Sequence, residues 1–368
     1  MARVLTLTLN PALDLSVTLE RLEPGIVNRT RATHLAAAGK GVNVARVLAE
    51  LGHDVTVSGF LGEENDGPFL RAFEALGVED AFLRVPGETR INAKLAEADG
   101  RVTDINGPGA RIDAASWQRL LDWLDARLDN AERRPAGVVI AGSLPPGVAA
   151  EDLAGLVARL RDAGLAVWVD TSGEALARAI DARPTAVKPN EQELAAWAGT
   201  PLDSAEARLR AALRLYAAGV EEALISAGPA GVLWVSRRGA WQAVPPRLAV
   251  ASTVGAGDTL LAAMLHGILS GHTPEQVLRF ATALSAESVR HVGVGHVRAD
   301  DFPQLQQQTR VRRLNDVDAG GALARTPSSS PPAPVAWPPP SSPPAAGSRP
   351  PGVSAGGSMS RCTASSSR

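Results

Sequence analysis

Apolar residues along this chain follow two alternating patterns. Short, mostly apolar runs, typical of buried strands, are followed by longer segments in which apolar residues recur every three or four positions. The strand-like runs are Arg3–Leu9, Asp54–Phe60, Val138–Ala141, Ala166–Asp170, Ala186–Val187 and Ala223–Ala227. The helix-like segments are Gly41–Leu51, Pro68–Leu76, Asp113–Leu128, Glu151–Ala163, Glu191–Ala198, Ala205–Ala217, Ala256–Leu269 and Gln276–Arg290. This alternation predicts an α/β fold with a mostly parallel central sheet and helices on both faces.

Two stretches depart from this alternation. Residues Ala12–Leu35 and Thr89–Asn106 contain short alternating strands with no helix between them. Such inserted strands favour a small separate sheet that projects from the main domain. We therefore expect a β-strand lid built from about 12–35 and 89–106.

The composition changes near Asn315, and from Pro327 onward the chain consists mostly of Pro, Ser, Ala and Gly. A segment of this kind buries too little apolar surface to offset its loss of conformational entropy on ordering. The sequence thus predicts one folded domain over residues 1–312 and a disordered tail over residues 316–368.

Charge and cysteine content narrow the classes of function. The net charge of −2 over 368 residues argues against nucleic acid or a membrane surface as a partner. The single cysteine, Cys362, lies in the tail, which excludes disulfides and thiolate chemistry in the folded part. The start of the chain reads as a strand rather than a signal peptide, and the apolar helix after Asp258 is too short to span a bilayer. We expect a cytoplasmic protein with small-molecule partners.

The segment Ser252–Asp258 carries the strongest chemical signal. A turn of small residues runs directly into an apolar helix, so that backbone N–H groups at the helix N-terminus are exposed to an anion. The carboxylate of Asp258 lies in the same positive environment, where it can accept a proton. Together these features favour phosphoryl transfer to a hydroxyl group. The alternative is a glycine loop with Asp258 as a helix N-cap.

Two further motifs follow near the N-terminus. Asp14 comes shortly after the first strand, where ligands bind in parallel sheets, and is either a hydrogen-bond acceptor for sugar hydroxyls or a turn residue. In the segment Ala37–Ala45, glycines flank Lys40 immediately before a helix. Backbone donors, the helix dipole and a cation suit a phosphate group, although a solvated lysine at a glycine-rich helix start gives the same pattern.

Polar residues on the second lid segment and after a buried strand are also candidates. Alternation places Arg90, Asn92 and Lys94 on one strand face, which either binds an anion or is simply solvated. Ser143 follows the strand Val138–Ala141 in a segment that lacks the pattern of a hydrolase nucleophile. We expect Ser143 to donate or accept a hydrogen bond at the site.

A third group lies in the second half of the chain. Asn190 and Glu193 are three residues apart at a helix start, and they fit either a Mg²⁺ site reached through water or a capping box. The turn Ser226–Gly231 is flexible enough to contact a nucleotide. His291 and His296 show no metal-ligand spacing and are interpreted as loop residues. Gly293 and Gly295 between them do not form the fingerprint of a dinucleotide-binding site.

The order of these motifs resembles the ribokinase-like carbohydrate kinases. The shared segments are Asn-Pro-x-x-Asp at Asn10, Gly-Lys-Gly-x-Asn at Gly39, Gly-Ser-Leu-Pro at Gly142, Lys-Pro-Asn-x-x-Glu at Lys188 and Ser-Thr-Val-Gly-Ala-Gly-Asp at Ser252. The resemblance covers roughly Arg3–Arg310. The Gly-Lys-Gly loop and Thr-Arg-Ile-Asn at Thr89 are similar to those of the kinases that act on phosphorylated ketohexoses.

This resemblance implies a role for each residue. Asp258 would be the catalytic base, and the amides of Gly255, Ala256 and Gly257 would form an anion hole. The ATP and Mg²⁺ site would comprise Lys188, Asn190, Glu193, Ser226, Gly228 and Gly231, with Mg²⁺ near Asn190 and Glu193. The sugar phosphate would be held by Asp14, Gly39, Lys40, Asn43, Arg90 and Ser143, with help from Lys94.

The implied reaction is the ATP-dependent phosphorylation of fructose 1-phosphate on its C6 hydroxyl, and the family also implies a homodimer joined through the lid. Alternatives in the same family are kinases of tagatose 6-phosphate or fructose 6-phosphate. A non-catalytic sugar-phosphate sensor is a different class of function. An intact Asp258 and anion hole argue against the sensor, and the missing fingerprint argues against a dinucleotide-dependent dehydrogenase.

Overall fold

The computed structural model describes residues 1–315, and the predicted tail over 316–368 lies outside the described residues. The strands are β1 (Arg3–Thr8), β2 (Ala12–Leu19), β3 (Ala32–Ala38), β4 (Asp54–Gly62), β5 (Glu79–Asp80), β6 (Leu83–Val85), β7 (Ile91–Glu97), β8 (Val102–Asn106), β9 (Gly137–Ala141), β10 (Ala166–Asp170), β11 (Ala186–Val187), β12 (Glu222–Ser226), β13 (Val232–Ser236), β14 (Gly239–Val244) and β15 (Arg310–Arg313). The α-helices are α1 (Lys40–Glu50), α2 (Gly67–Leu76), α3 (Ala114–Asp129), α4 (Ala150–Asp162), α5 (Gly173–Asp181), α6 (Glu191–Ala198), α7 (Ala205–Ala217), α8 (Ala256–Leu269), α9 (Pro274–Ser288) and α10 (Phe302–Gln308).

The main sheet has the strand order β15-β14-β13-β12-β11-β10-β9-β1-β4-β5, and β6 also pairs with β4. From β12 to β5 every pairing is parallel, which confirms the mostly parallel sheet predicted from the apolar runs. Strands β13, β14 and β15 extend the sheet in antiparallel fashion. This extension, the short strands β5 and β6, and helices α5 and α10 were not predicted.

Helices cover both faces of the main sheet because strand residues point alternately to each side. Val138 and Ile140 pack in one hydrophobic cluster, with residues of α3 to α7. Val139 and Ala141 pack in the other cluster, with residues of α1, α2 and α8 to α10. Full burial of each large aliphatic side chain stabilises the fold by about 1.5–3 kcal/mol, so both layers hold the sheet rigid beneath the site.

The second sheet forms the predicted lid, with the strand order β3-β2-β7-β8. The two lid faces differ in chemistry. Asp14 pairs in register with Asn92, so these polar side chains share the face that lines the cleft beneath the lid. Leu35, Ile91 and Ile105 lie on the opposite face and are 42%, 45% and 57% exposed. The lid therefore has a polar inner face and an apolar outer face.

Helix α8 links the site to the core. Its 14 residues begin at Ala256 beside the cleft, and those from Asp258 to Leu265 are all buried. The contacts of α8 with α9 and α1 fix the direction of its N-terminus. Among residues 1–315, no helix combines the length and apolar character needed to cross a membrane.

Candidate active site

A cleft of about 1210 Å³ lies between the lid and the carboxyl ends of the parallel strands. Strands β1, β9, β10, β11 and β12 each end at this cleft, as expected for ligand sites in parallel sheets. The residues to which the motifs gave a role contribute to its lining, with the exception of Lys94: Asp14, Gly39, Lys40, Asn43, Arg90, Ser143, Lys188, Asn190, Glu193, Ser226, Gly228, Gly231, Gly255, Ala256, Gly257 and Asp258.

The N-terminus of α8 forms a backbone cradle. Gly255 is the N-cap residue and has φ 85°, a left-handed conformation that favours glycine. A Cβ atom at this position would overlap the carbonyl oxygen of Gly293. The first amides of a helix have no intrahelical acceptor. Here the N–H of Ala256 makes only a long contact of 3.4 Å with the carbonyl oxygen of Thr253, and the positive end of the helix dipole faces the cleft.

The loop that supports Gly255 is fixed by a buried carboxylate. The carboxylate of Glu287 on α9 accepts a hydrogen bond from the backbone N–H of His296 at 2.6 Å. It is also hydrogen-bonded to Nε2 of the His291 ring at 3.1 Å. His291 and His296, interpreted from sequence as ordinary loop residues, stack with ring centroids 5.1 Å apart. Their contacts are structural, because they hold the loop through Gly293 against the anion cradle.

Asp258 is the third residue of α8, so it is not the N-cap, and that alternative interpretation is wrong. Its side chain is buried, and Oδ2 accepts a hydrogen bond from Asn43 Nδ2 at 2.8 Å. Burial and, secondarily, the negative charge of Asp170 raise the pKa of Asp258 to about 6, against the opposing effects of Asn43, Lys40 and Lys188. A carboxylate with this pKa is ionised at neutral pH and can accept a proton.

Asp170 is a site residue that sequence reasoning missed. It ends β10 and is only 1% exposed. Its Oδ1 accepts a hydrogen bond from Lys40 Nζ at 3.1 Å, and its Oδ2 lies 3.4 Å from Lys188 Nζ. A charged residue at the end of an otherwise apolar buried strand was the available signal. These contacts raise the pKa of Lys40, although burial alone would lower it.

The lid residues are engaged with the protein rather than exposed on a solvated strand face. Asp14 Oδ1 accepts a hydrogen bond from Asn92 Nδ2 at 3.2 Å, and its Oδ2 lies 3.3 Å from Lys94 Nζ. Lys94 is thus an ion-pair partner of Asp14 and does not contribute to the cleft lining. The lysine holds the Asp14 carboxylate in place at the inner face of the lid.

Arg90 lies just before β7, at the junction between the lid and the main domain. Its guanidinium group donates hydrogen bonds to the carbonyl oxygens of Asn10 (2.9 Å), Pro11 (3.2 Å) and Gly107 (3.0 Å). Burial lowers the pKa of Arg90. Ser143 Oγ lies 3.4 Å from Arg90 Nη2 and 3.2 Å from Asn10 Nδ2. The group predicted to bind an anion therefore also fixes both ends of the lid.

Asn190 and Glu193 form a reciprocal capping box at the start of α6. Asn190 Oδ1 accepts from the Glu193 N–H, and Glu193 Oε2 accepts from the Asn190 N–H, both at 2.9 Å. The capping interpretation is correct, and both side chains also line the cleft. Residues 1–315 contain no cluster of three or more His, Cys, Asp or Glu suited to holding a metal. The oxygen donors left by the capping box fit a hydrated Mg²⁺ bound mainly by phosphates.

The far end of the cleft has an apolar wall that the sequence analysis did not identify. It follows the turn Gly228–Ala230 and includes Val232, Pro245, Leu248 and Val289. Gly231 has φ 91°, and a Cβ atom there would overlap the carbonyl oxygen of Ala243. The close backbone approach at Gly231 leaves no room for a side chain there, and the apolar wall is of the kind that lines small-molecule sites.

Comparisons with known proteins agree with this architecture. The family model "pfkB family carbohydrate kinase" matches residues 7–300. The chain is 44% identical to the 1-phosphofructokinase of Vibrio cholerae over 85% of this chain and 97% of that protein. It is 43% identical to the 1-phosphofructokinase of Escherichia coli K12 over 82% of this chain and 95% of that protein.

Solved structures show the same fold. Phosphofructokinase-2 of Escherichia coli, in its tetrameric inhibited form, superposes with a TM-score of 0.76 at 30% identity, covering 83% of this chain and 99% of that chain. Ribokinase of Arabidopsis thaliana superposes with a TM-score of 0.65 at 23% identity, covering 83% of this chain and 97% of that chain. The ribokinase-like α/β fold expected from the motifs is confirmed. On this evidence the chain belongs to the pfkB family of carbohydrate kinases and is a phosphotransferase.

Proposed function

We propose that this kinase transfers the γ-phosphoryl group of ATP to the C6 hydroxyl of fructose 1-phosphate, giving fructose 1,6-bisphosphate and ADP. The observation that carries the proposal is the buried Asp258, held by Asn43 at 2.8 Å on the first turn of α8, inside the backbone cradle. A base and an anion site on one helical turn suit in-line transfer to a hydroxyl. The relatives named 1-phosphofructokinase support this choice of substrate.

In this proposal Asp258 takes the proton of the C6 hydroxyl as the new O–P bond forms. The bond between the γ-phosphorus and the β–γ bridging oxygen breaks, and ADP leaves. The amides of Gly255, Ala256 and Gly257 stabilise the charge on the transferring group. Such a reaction depends mainly on positioning and charge stabilisation, which a rigid helix start provides without reorganisation.

The nucleotide is assigned to the end of the cleft with the apolar wall. Ser226, Gly228 and Gly231 would line the base and ribose site, and Lys188 would contact the phosphates. Asn190 and Glu193 would hold Mg²⁺ through its waters, and the ion would neutralise charge on the ATP phosphates. The capping box keeps both side chains directed at the cleft, which supports this assignment.

The sugar phosphate is assigned to the end of the cleft beneath the lid. Asp14, Gly39, Asn43 and Ser143 would contact the sugar, and Lys40 would bind its existing phosphate together with Arg90. The ammonium group of Lys40 lies at the N-terminus of α1, where the helix dipole also favours an anion. Closure of the lid would exclude water and limit the hydrolysis of ATP.

The outer face of the lid supports a proposal on assembly. Leu35, Ile91 and Ile105 expose an apolar surface on the side away from the cleft. We propose that a second copy of this chain covers it, as a homodimer through the lid, and the tetrameric form of the Escherichia coli phosphofructokinase-2 agrees with self-association in this family. Ile105→Lys should convert the dimer to a monomer in sedimentation, whereas an unchanged mass contradicts the proposal.

The reaction itself is tested by ADP release with purified protein, ATP and Mg²⁺. Fructose 1-phosphate, fructose 6-phosphate and tagatose 6-phosphate are offered in parallel, and the proposal expects the highest kcat/KM for fructose 1-phosphate. A preference for either 6-phosphate leaves the proposed mechanism unchanged but means that the sugar binds in a different orientation. No turnover with any of the three contradicts the proposal and favours a sugar-phosphate sensor. ATP and sugar phosphates are both cytoplasmic metabolites, and we propose that location for the enzyme.

A further inference from the structure

One buried carboxylate joins the two ends of the active-site cleft. Asp170 Oδ1 is 3.1 Å from Lys40 Nζ, on the sugar side, and Oδ2 is 3.4 Å from Lys188 Nζ, on the nucleotide side. The three residues come from α1, β10 and the end of β11, which the fold brings together from distant parts of the sequence. Each ammonium group thus approaches a different oxygen of the same carboxylate.

The second oxygen of Asp170 is incompletely satisfied by the protein. Within residues 1–315, Oδ2 has no hydrogen-bond partner, so the contact with Lys188 is an ion pair without ideal hydrogen-bond geometry. Lys188 is buried, and its Nζ would lie 3.0 Å from a Cβ atom at Gly257, directly against the backbone cradle. Burial of two charged groups is costly unless they are paired. Asp170 therefore keeps the ammonium group of Lys188 at a fixed position beside the cradle.

We propose that Asp170 is a positioning residue that bridges Lys40 and Lys188 and thereby couples sugar-phosphate binding to nucleotide binding. The inference rests on the proposed function, which places the two lysines at different substrates. When Lys40 is removed or engaged by a ligand, Lys188 is the cation left beside Asp170, and it can shorten its 3.4 Å contact with Oδ2 into a hydrogen bond. The state of Lys40 therefore determines how far Lys188 is available to ATP.

The same carboxylate acts on the base. The groups that face Asp258 are Asn43 and Lys40 from α1, Asp170 from β10 and Lys188 after β11. The negative charge of Asp170 raises the pKa of Asp258, whereas both lysines lower it. Removal of the Asp170 charge should therefore move the acid limb of the kcat/KM profile to lower pH, an effect that loss of packing alone does not produce.

The first test is Asp170→Asn, which retains the shape of the side chain and removes its charge. We expect the acid limb of kcat/KM to move down by about half a pH unit or more, together with a change in KM for both substrates. Glu222→Gln is the matched control, because Glu222 is a buried carboxyl on β12 that does not line the cleft. An unmoved limb with both KM values unchanged would overturn the proposal.

The second test uses Lys40→Met, which alters a half-exposed side chain and does not require Asp170 to be replaced. ATP affinity is measured by titration calorimetry without sugar. Without Lys40, Asp170 has Lys188 as its remaining lysine partner and draws it away from ATP. Although Lys40 is assigned to the sugar, its loss should therefore weaken ATP binding by about threefold or more. Unchanged ATP affinity overturns the coupling, even if Asp170→Asn fails to fold.

The double variant completes the cycle. In the Asp170→Asn background, Lys40→Met should no longer alter ATP affinity, because the bridging charge is gone. An effect as large as in the parent protein would show that coupling does not pass through Asp170. The binding arms do not depend on turnover, so they remain decisive if fructose 1-phosphate proves not to be the substrate.

Discussion

Replacement of Asp258 by Asn probes the step on which the proposed reaction depends. The amide retains the volume of the side chain in a buried position and its contact with Asn43, but cannot accept the hydroxyl proton. Loss of a general base costs about 10²–10⁴ in kcat, which corresponds to about 3–5 kcal/mol in the activation barrier. ATP affinity should change little, because the backbone cradle remains intact.

The pH dependence of the rate gives a second expected magnitude for the same residue. With a pKa of about 6, Asp258 is about 90% ionised at pH 7 and about 10% ionised at pH 5. The base must be ionised to act, so kcat/KM of the parent protein, which reports the enzyme without bound sugar phosphate, should fall roughly tenfold over this range. The residual rate of Asp258→Asn should lack this acid limb, since the titrating group has been removed.

The assay is continuous ADP release from pH 5 to pH 8 at a series of sugar-phosphate concentrations, which gives kcat and kcat/KM separately. Asp162→Asn, an exposed carboxylate at the end of α4, is the control for loss of one negative charge. A turnover of Asp258→Asn within a few fold of the parent, or an acid limb that persists in the variant, would refute the assignment of the base.

Three further changes test other parts of the structure. Arg90→Ala should raise KM for the sugar phosphate by about tenfold or more, with KM for ATP unchanged, and an unchanged sugar KM contradicts that role. Burial raises the pKa of Glu222 from 4.5 to about 7, so its contribution to stability is fully present below about pH 4.5 and is lost as the pH rises to about 7. At pH 8, the free energy of unfolding of Glu222→Gln should therefore exceed that of the parent by up to about 3 kcal/mol, and the difference should be smaller at pH 5. Urea titrations that give the same difference between variant and parent at both pH values contradict this. Gly231→Ala should lower Tm and weaken ATP binding, because its Cβ would overlap the Ala243 carbonyl. Gly228→Ala has open space around the new Cβ and should lower Tm less. Equal Tm values for the two variants refute the argument.

The parallel part of the sheet could be predicted because its strands are buried on both faces. The run Ala166–Asp170 is apolar at every position except the last, and β10 has these same bounds. Strands β13 and β14 were missed, although β13 is buried throughout and β14 buries Ala240 and Ala243 between half-buried residues. Strand β13 leads directly into β14, and residues 245–255 separate β14 from α8. The close strand–helix alternation that guided the prediction is therefore broken here and could not indicate these strands.

The candidate site was predicted as a set of residues, but not as a set of contacts. Glycine turns and helix starts are local features, and they located the cradle and the Lys40 loop. Asp170 was missed because its partners are 130 and 18 positions away, and only the fold places them on one carboxylate. The restraint of Arg90 by main-chain carbonyls was equally hidden, since a sequence does not show which backbone groups a side chain meets.

The construction of the lid has a consequence for how this family diversifies. Its strands are two insertions, one between β1 and α1 and the other between β6 and α3, whereas α8 and the ends of β10 and β11 belong to the common framework. If the sugar phosphate binds beneath the lid as proposed, mutations in the insertions can alter the choice of sugar while α8 keeps its geometry. New acceptor specificities are then open to evolution, or to a protein engineer, by exchange of the lid between relatives.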